Sequence, residues 1–271
     1  MHLIILTHGF YSTPSSLKQM YNKLIKLPKT QILWSKVNSG ITNTSDGIIN
    51  AGIRLSHEIL EYIPTQKFTK ISFVGSSMGG LVNRVAIGLL LNYEEQTIAG
   101  LIPTIYISFG TPHLGILDSS YLYQNLGYAL THDSQSLEDF TLRNQTLELI
   151  SDPKTVYFYG LSLFKTRWLF ANIDNDGLVN YESSAITDVY WKLPDNIGDV
   201  KGIISDYKDS EYIQPKDNKI LQNLQKLEWH RVICETGEYG LISHALVSTG
   251  FSLYYKSDII DTIIYIFENY S

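Results

Sequence analysis

The sequence predicts an α/β fold with a mostly parallel central sheet and helices on both faces. Short apolar runs alternate with helical patterns through the first half of the chain, and that alternation calls for crossover helices between parallel strands. Residues 70–86 read KISFVGSSMGGLVNRVA, an apolar run, a glycine-flanked serine and then a helical pattern. The chain has 271 residues, 44% of them hydrophobic, enough for one large core, so a single domain over 1–271 is expected.

The elements follow in order. Residues 3–6 form a buried strand. In 15–27, Leu17, Met20, Tyr21, Leu24 and Ile25 recur at helical spacing and Pro28 stops the helix. Residues 31–37 are a second strand. A helix opens near Asp46, runs through Ile49, Ile53, Ile59 and Leu60 to Ile63, and is closed by Pro64. Residues 71–74 are the third strand, followed by a helix ending near Asn92, and 101–109 the fourth. Over 114–150 the pattern loosens into a helical excursion. Packing on the body is favoured there over a mobile lid or cap above the site. Residues 154–164 read as helix and 168–173 as a buried strand. Residues 203–224, rich in Asp, Lys and Tyr, are expected to be a solvated insertion. Residues 229–234 return as a strand, and 257–270 form a last amphipathic helix with Ile259, Ile260, Ile263, Ile264 and Phe267 on one face.

Composition narrows the function. A net charge of −6 without a long basic run argues against a nucleic-acid partner, because phosphate binding needs clustered Lys and Arg. The single Cys234 excludes an internal disulfide and fits a reducing compartment, so a cytoplasmic location is expected. The apolar run at 2–6 is too short for an export signal, and no transmembrane segment is expected.

The chemistry centres on Gly75-Ser76-Ser77-Met78-Gly79, a GxSxG pattern between strand and helix. A serine at such a turn points its hydroxyl out of the backbone, which makes Ser77 the candidate nucleophile. It needs a base and a carboxylate to orient that base, in chain order Ser, acid, His. Of His113, His132, His230 and His244, the last lies where that base belongs, between a strand and the final helical region. For the acid, NIDNDGLV at 172–179 offers Asp174 and Asp176. Asp176 is favoured because Gly177 permits a tight turn that presents the carboxylate. The same segment resembles the start of a calcium loop, but Ser183 stands where its glutamate would fall, so that reading is rejected. GSSMGG lacks the spacing of a dinucleotide fingerprint and the lysine of a P-loop. No metal or organic cofactor is expected.

An oxyanion hole needs two backbone N–H donors. One is assigned to Met78, which follows the nucleophile at the helix start. The other is assigned to Phe10, in the Thr7-His8-Gly9-Phe10 turn after the first strand. His8 reads as a packing and hydrogen-bonding residue beneath the site.

Together LTHGF, DGIINAGIRLSHEI, VGSSMGGLVNRVAIG, SFGTPHLG, FKTRWLFANIDNDGLVNYESS, LEWHRV and SHALV resemble the lipase-like serine esterases of the DUF676 family, within the α/β-hydrolase superfamily. The resemblance implies an α/β-hydrolase fold. It puts the nucleophile on Ser77, the acid on Asp176 and the base on His244, with Gly9 and Phe10 at the oxyanion hole. It also implies that the excursion from His113 and Leu114 onward borders the substrate. The implied substrates are lipid acyl esters or small esters, with transient contact to a membrane or lipid-droplet surface. Two departures stand out: Ser76 replaces a histidine carried by many members, and 203–224 matches poorly. A catalytically inactive scaffold and an acyltransferase using the same residues are the competing readings.

Overall fold

A computed structural model describes residues 1–116, 134–173, 176–188, 218–234, 244 and 258–271. Its centre is a six-stranded sheet in the order β2-β1-β3-β6-β7-β8. The strands are β1 (His2–Thr7), β2 (Thr30–Trp34), β3 (Lys70–Ser76), β6 (Ile102–Phe109), β7 (Thr166–Asn172) and β8 (His230–Cys234). Every pairing between them is parallel. Between β3 and β6, Leu91–Asn92 (β4) and Thr97–Ile98 (β5) pair as a small antiparallel ribbon that the helical reading up to Asn92 did not anticipate.

Strand side chains alternate between two cores, as the two-residue period requires. Leu3, Ile5, Ile71, Phe73, Tyr106 and Leu169 face one core. Ile4, Leu6, Val74, Ile107, Phe109, Phe170 and Val232 face the other. Helices α3 (Ile48–Tyr62) and α4 (Met78–Leu89) cover the first face. Helix α1 (Lys18–Leu24) and the terminal helix, α10 (Asp258–Tyr270), cover the second through Leu24, Ile263, Ile266 and Phe267. No helix among the described residues is long and apolar enough to cross a membrane.

Three expectations change in detail. Strand β2 stops at Trp34, short of residue 37. The helix expected from near Asp46 to Ile63 is α3, and a short unanticipated helix, α2 (Ile41–Ser45), precedes it, the two being separated where Gly47 takes φ +104°, a conformation that favours glycine. The end of the supposed solvated insertion is a packed helix, α9 (Lys219–Leu224), whose Ile220, Leu221 and Leu224 join the first core. Residues 203–217 lie outside the described residues.

The later part of the excursion forms α5 (Gln135–Phe140) and α6 (Thr146–Ser151), followed by α7 (Val156–Ser162) and, beyond β7, the short α8 (Tyr181–Ala185). It is tied to the body by polar bonds. The N-terminus of α3 has no local side-chain cap; instead the buried Asp139 accepts from Ile48 N at 2.7 Å and Ser136 Oγ from Gly47 N at 3.0 Å. A carboxylate there also opposes the positive end of the helix dipole. Residues 117–133, on which the rest of the lid expectation falls, lie outside the described residues.

Candidate active site

Ser77 joins β3 to α4 with φ +52° and ψ −124°, a strained conformation for a non-glycine residue that costs about 1–3 kcal/mol. The surroundings enforce it. Ser77 N donates to Phe109 O at 2.7 Å, while its carbonyl accepts from Gly80 N at 3.1 Å and from Thr111 Oγ1 at 2.8 Å. A Cβ on Gly75 would stand 2.5 Å from Gly80 N, and one on Gly79 would stand 2.8 Å from His8 O. Glycine is therefore required on both sides of the turn by closeness of approach.

His244 and Asp176 complete a hydrogen-bonded series. His244 Nε2 lies 3.0 Å from Ser77 Oγ, and His244 Nδ1 lies 3.1 and 3.0 Å from Asp176 Oδ1 and Oδ2. Both side chains are nearly buried, 8% and 3% exposed. A carboxylate only accepts, so Nδ1 carries the ring proton and Nε2 presents its lone pair to the serine hydroxyl. Leu178 N and Val179 N each donate to Asp176 Oδ1 at 2.9 Å, so the DG turn holds the carboxylate by its own backbone. Asp174, the competing acid, lies outside the described residues. The turn after β6 backs the pair: a Cβ on Gly110, at φ +50°, would lie 3.2 Å from His244 Cε1 and 3.9 Å from Asp176 Oδ2.

Beside Ser77 lie the two expected donors. Among the described residues neither the Phe10 nor the Met78 backbone N–H has an acceptor, and Met78 opens α4, where first-turn N–H groups face outward. Gly9 lies against Ser77, its hypothetical Cβ 2.8 Å from Ser77 Cβ. His8 is buried, with Nδ1 3.0 Å from Gly9 O. Burial lowers its pKa against the opposing effect of that bond. Nδ1–H therefore donates to the Gly9 carbonyl, and in a trans peptide the following N–H, that of Phe10, points the opposite way. The Phe10 ring packs edge-on against Phe140 of α5 at 5.5 Å.

His113 and Leu114, expected to touch substrate, are placed otherwise. His113 is fully buried, with Nε2 2.9 Å from Ser108 Oγ and Nδ1 3.4 Å from Arg84 Nη1. Burial and the Arg84 charge hold its pKa well below the ordinary value. Leu114 is 5% exposed, and its N–H donates to Ser183 Oγ at 3.1 Å. Both residues are buried in the turn after β6 and do not face solvent beside Ser77, as a substrate contact would. Residues missed in the sequence are Gly110, Thr111 and Arg84. The first two lay within the SFGTPHLG segment, and only a contact map reveals what they support.

The family model described as "Putative serine esterase (DUF676)" matches residues 1–186. The chain belongs to this family. Among relatives of this DUF676 chain, "Putative lipase ROG1" of Saccharomyces cerevisiae is 29% identical over 189 residues, 66% of this chain and 27% of that protein. "Putative lipase C4A8.10" of Schizosaccharomyces pombe is 29% identical over 203 residues, 68% of this chain and 26% of that protein. The DUF676 chain thus spans about a quarter of the length of these relatives. Among solved structures, the product of gene lin2722 from Listeria innocua aligns with 100% of this chain and 95% of its own at TM-score 0.52 and 15% identity. A lipase-esterase related protein from Clostridium acetobutylicum aligns with 100% of this chain and 94% of its own at TM-score 0.50 and 10% identity. The fold of this DUF676 member is that of the α/β-hydrolases.

Proposed function

We propose that this chain is a serine hydrolase of carboxylic esters, with acyl esters of glycerolipids or phospholipids as its substrate class. The observation that carries the reading is the uninterrupted series from Ser77 Oγ through His244 to Asp176. Ser77 Oγ attacks the ester carbonyl as its proton passes to His244 Nε2, and Asp176 stabilises the imidazolium. The carbonyl oxygen takes the negative charge and is held by the Phe10 and Met78 N–H groups. As the tetrahedral adduct collapses, the carbon–oxygen bond to the alcohol breaks and His244 gives its proton to the leaving oxygen. Water then attacks the Ser77 ester, losing a proton to His244. The acid departs, and His244 returns that proton to Ser77 Oγ. The names of the fungal relatives and the family resemblance support a lipid acyl group.

Hydrolysis of p-nitrophenyl esters and of acylglycerols of increasing chain length tests the reading. The expected result is release of fatty acid that Ser77→Ala abolishes. Product forming only when an acceptor alcohol is added would make the protein an acyltransferase, and no turnover of either kind by folded protein would make it a scaffold.

A further inference from the structure

The two oxyanion donors belong to different elements: Phe10 to the loop leaving β1, Met78 to the first residue of α4. Their spacing therefore depends on how β1 meets α4. One buried polar contact makes that junction. Thr7 Oγ1 donates to Asn83 Oδ1 at 2.7 Å, with both residues fully buried. Among the described residues it is the one side-chain hydrogen bond between β1 and α4. Thr7 ends its strand directly beside Gly75 of β3, and a Cβ on Gly75 would stand 2.7 Å from Asn83 Nδ2. A Cβ on Gly79 would collide with Thr7 O, so the first turn of α4 sits on the end of β1. Among the described residues Asn83 Nδ2 has no partner.

A hydroxyl and an amide are an unexpected choice for a fully buried junction, since valine and leucine have similar shapes and need no partner. A hydrogen bond is directional where apolar packing is not. It fixes both the rotation of α4 and its height against β1. Phe10 lies three residues beyond Thr7, and Met78 five residues before Asn83. We propose that Thr7 and Asn83 are positioning residues that set the separation of the Phe10 and Met78 N–H groups, and so tune the hole to the tetrahedral oxyanion. The proposal rests on the esterase reading.

The test separates positioning from stability. Thr7→Val alone orphans Asn83 Oδ1 and lowers Tm. The double variant Thr7→Val/Asn83→Leu makes both partners apolar and restores Tm, because replacing both ends of a buried hydrogen bond by groups of the same shape is nearly neutral. Its kcat per titrated Ser77 should nevertheless stay about 10- to 100-fold below the unmodified protein, with KM within about twofold. Affinity for a trifluoromethyl ketone, whose adduct places an oxyanion in the hole, should fall in parallel. Thr7→Ser, which keeps the hydroxyl, should retain near-normal kcat. A double variant that regains both Tm and kcat, or a Thr7→Ser protein as slow as Thr7→Val, overturns the proposal alone. An unmodified protein without esterase turnover overturns the esterase reading and this one with it.

Discussion

Two serine–histidine pairs lie close together in this molecule, and they are wired in opposite senses. In one, His244 Nε2 is 3.0 Å from Ser77 Oγ and Nδ1 faces Asp176. In the other, His113 Nε2 is 2.9 Å from Ser108 Oγ and Nδ1 faces Arg84. Aspartate only accepts, so it fixes the proton on Nδ1 and leaves the Nε2 lone pair facing the Ser77 hydroxyl. Arginine only donates, so it claims the Nδ1 lone pair and leaves Nε2–H donating to Ser108. The second pair therefore cannot generate a serine nucleophile, and its fully buried hydroxyl has no carbonyl to attack. Proximity of serine to histidine does not make a base; the polarity of the hydrogen bond on the far side of the ring does.

The largest expected effect breaks the polarity of the first pair. Asp176→Asn keeps the shape but can donate, which favours the wrong tautomer, and should cost about 10⁴ in kcat. Ser108→Ala should leave kcat within about tenfold once corrected for folded protein. Comparable losses in the two variants would erase the distinction.

A second prediction concerns Arg84, which is fully buried and, among the described residues, has no carboxylate partner. Its Nη2 donates to Ile150 O and Ser151 Oγ, both at 2.8 Å. Burial lowers its pKa to about 10, the nearby Tyr106 opposing that shift, so it stays charged at neutral pH. Arg84→Met strands both acceptors and should cost about 3 kcal/mol of stability by denaturant unfolding, while Ser77 in the folded fraction still reacts. Unchanged stability would mean that the cation is not what joins α4 to the end of α6.

The smallest effect is in pH. His113 has a pKa held well below the ordinary value by burial and by Arg84. His2, which bonds Ser72 Oγ at 2.8 Å and Thr104 Oγ1 at 3.1 Å, is lowered to about 4 by burial and by the charges of Lys70 and the N-terminus. Both rings are neutral in the fold, so the unfolded chain protonates first on acidification. Their stabilisation is full above about pH 6.5 and falls toward pH 4 and below. Tm should decline over that window, and less so in His2→Gln. A Tm insensitive to His2→Gln from pH 7 to 4 would contradict this.

Much of this was legible in the sequence because it is local. The apolar run into GSSMGG, the DG turn and the HG turn each carry their geometry in a few neighbouring residues, so the strand-to-helix elbow and the turns that carry Ser77, Asp176 and Phe10 could be read from them. What escaped was long-range. Nothing near Gly47 announces that Asp139, 91 residues on from Ile48, caps α3. His113 was expected to border the substrate, and its burial between Arg84 and Ser108 depends on contacts that its immediate neighbours do not reveal. Lys219–Leu224 carries too little periodicity to reveal a packed face, and its apolar partners lie on other elements.

Mass-spectrometric mapping of the serine modified by a fluorophosphonate tests the central claim most directly, because the reagent reports which hydroxyl a correctly polarised imidazole has activated. The account predicts a single adduct on Ser77, lost in His244→Ala, with Ser108 unmodified. A folded protein that is unlabelled, or labelled at another serine, would contradict it.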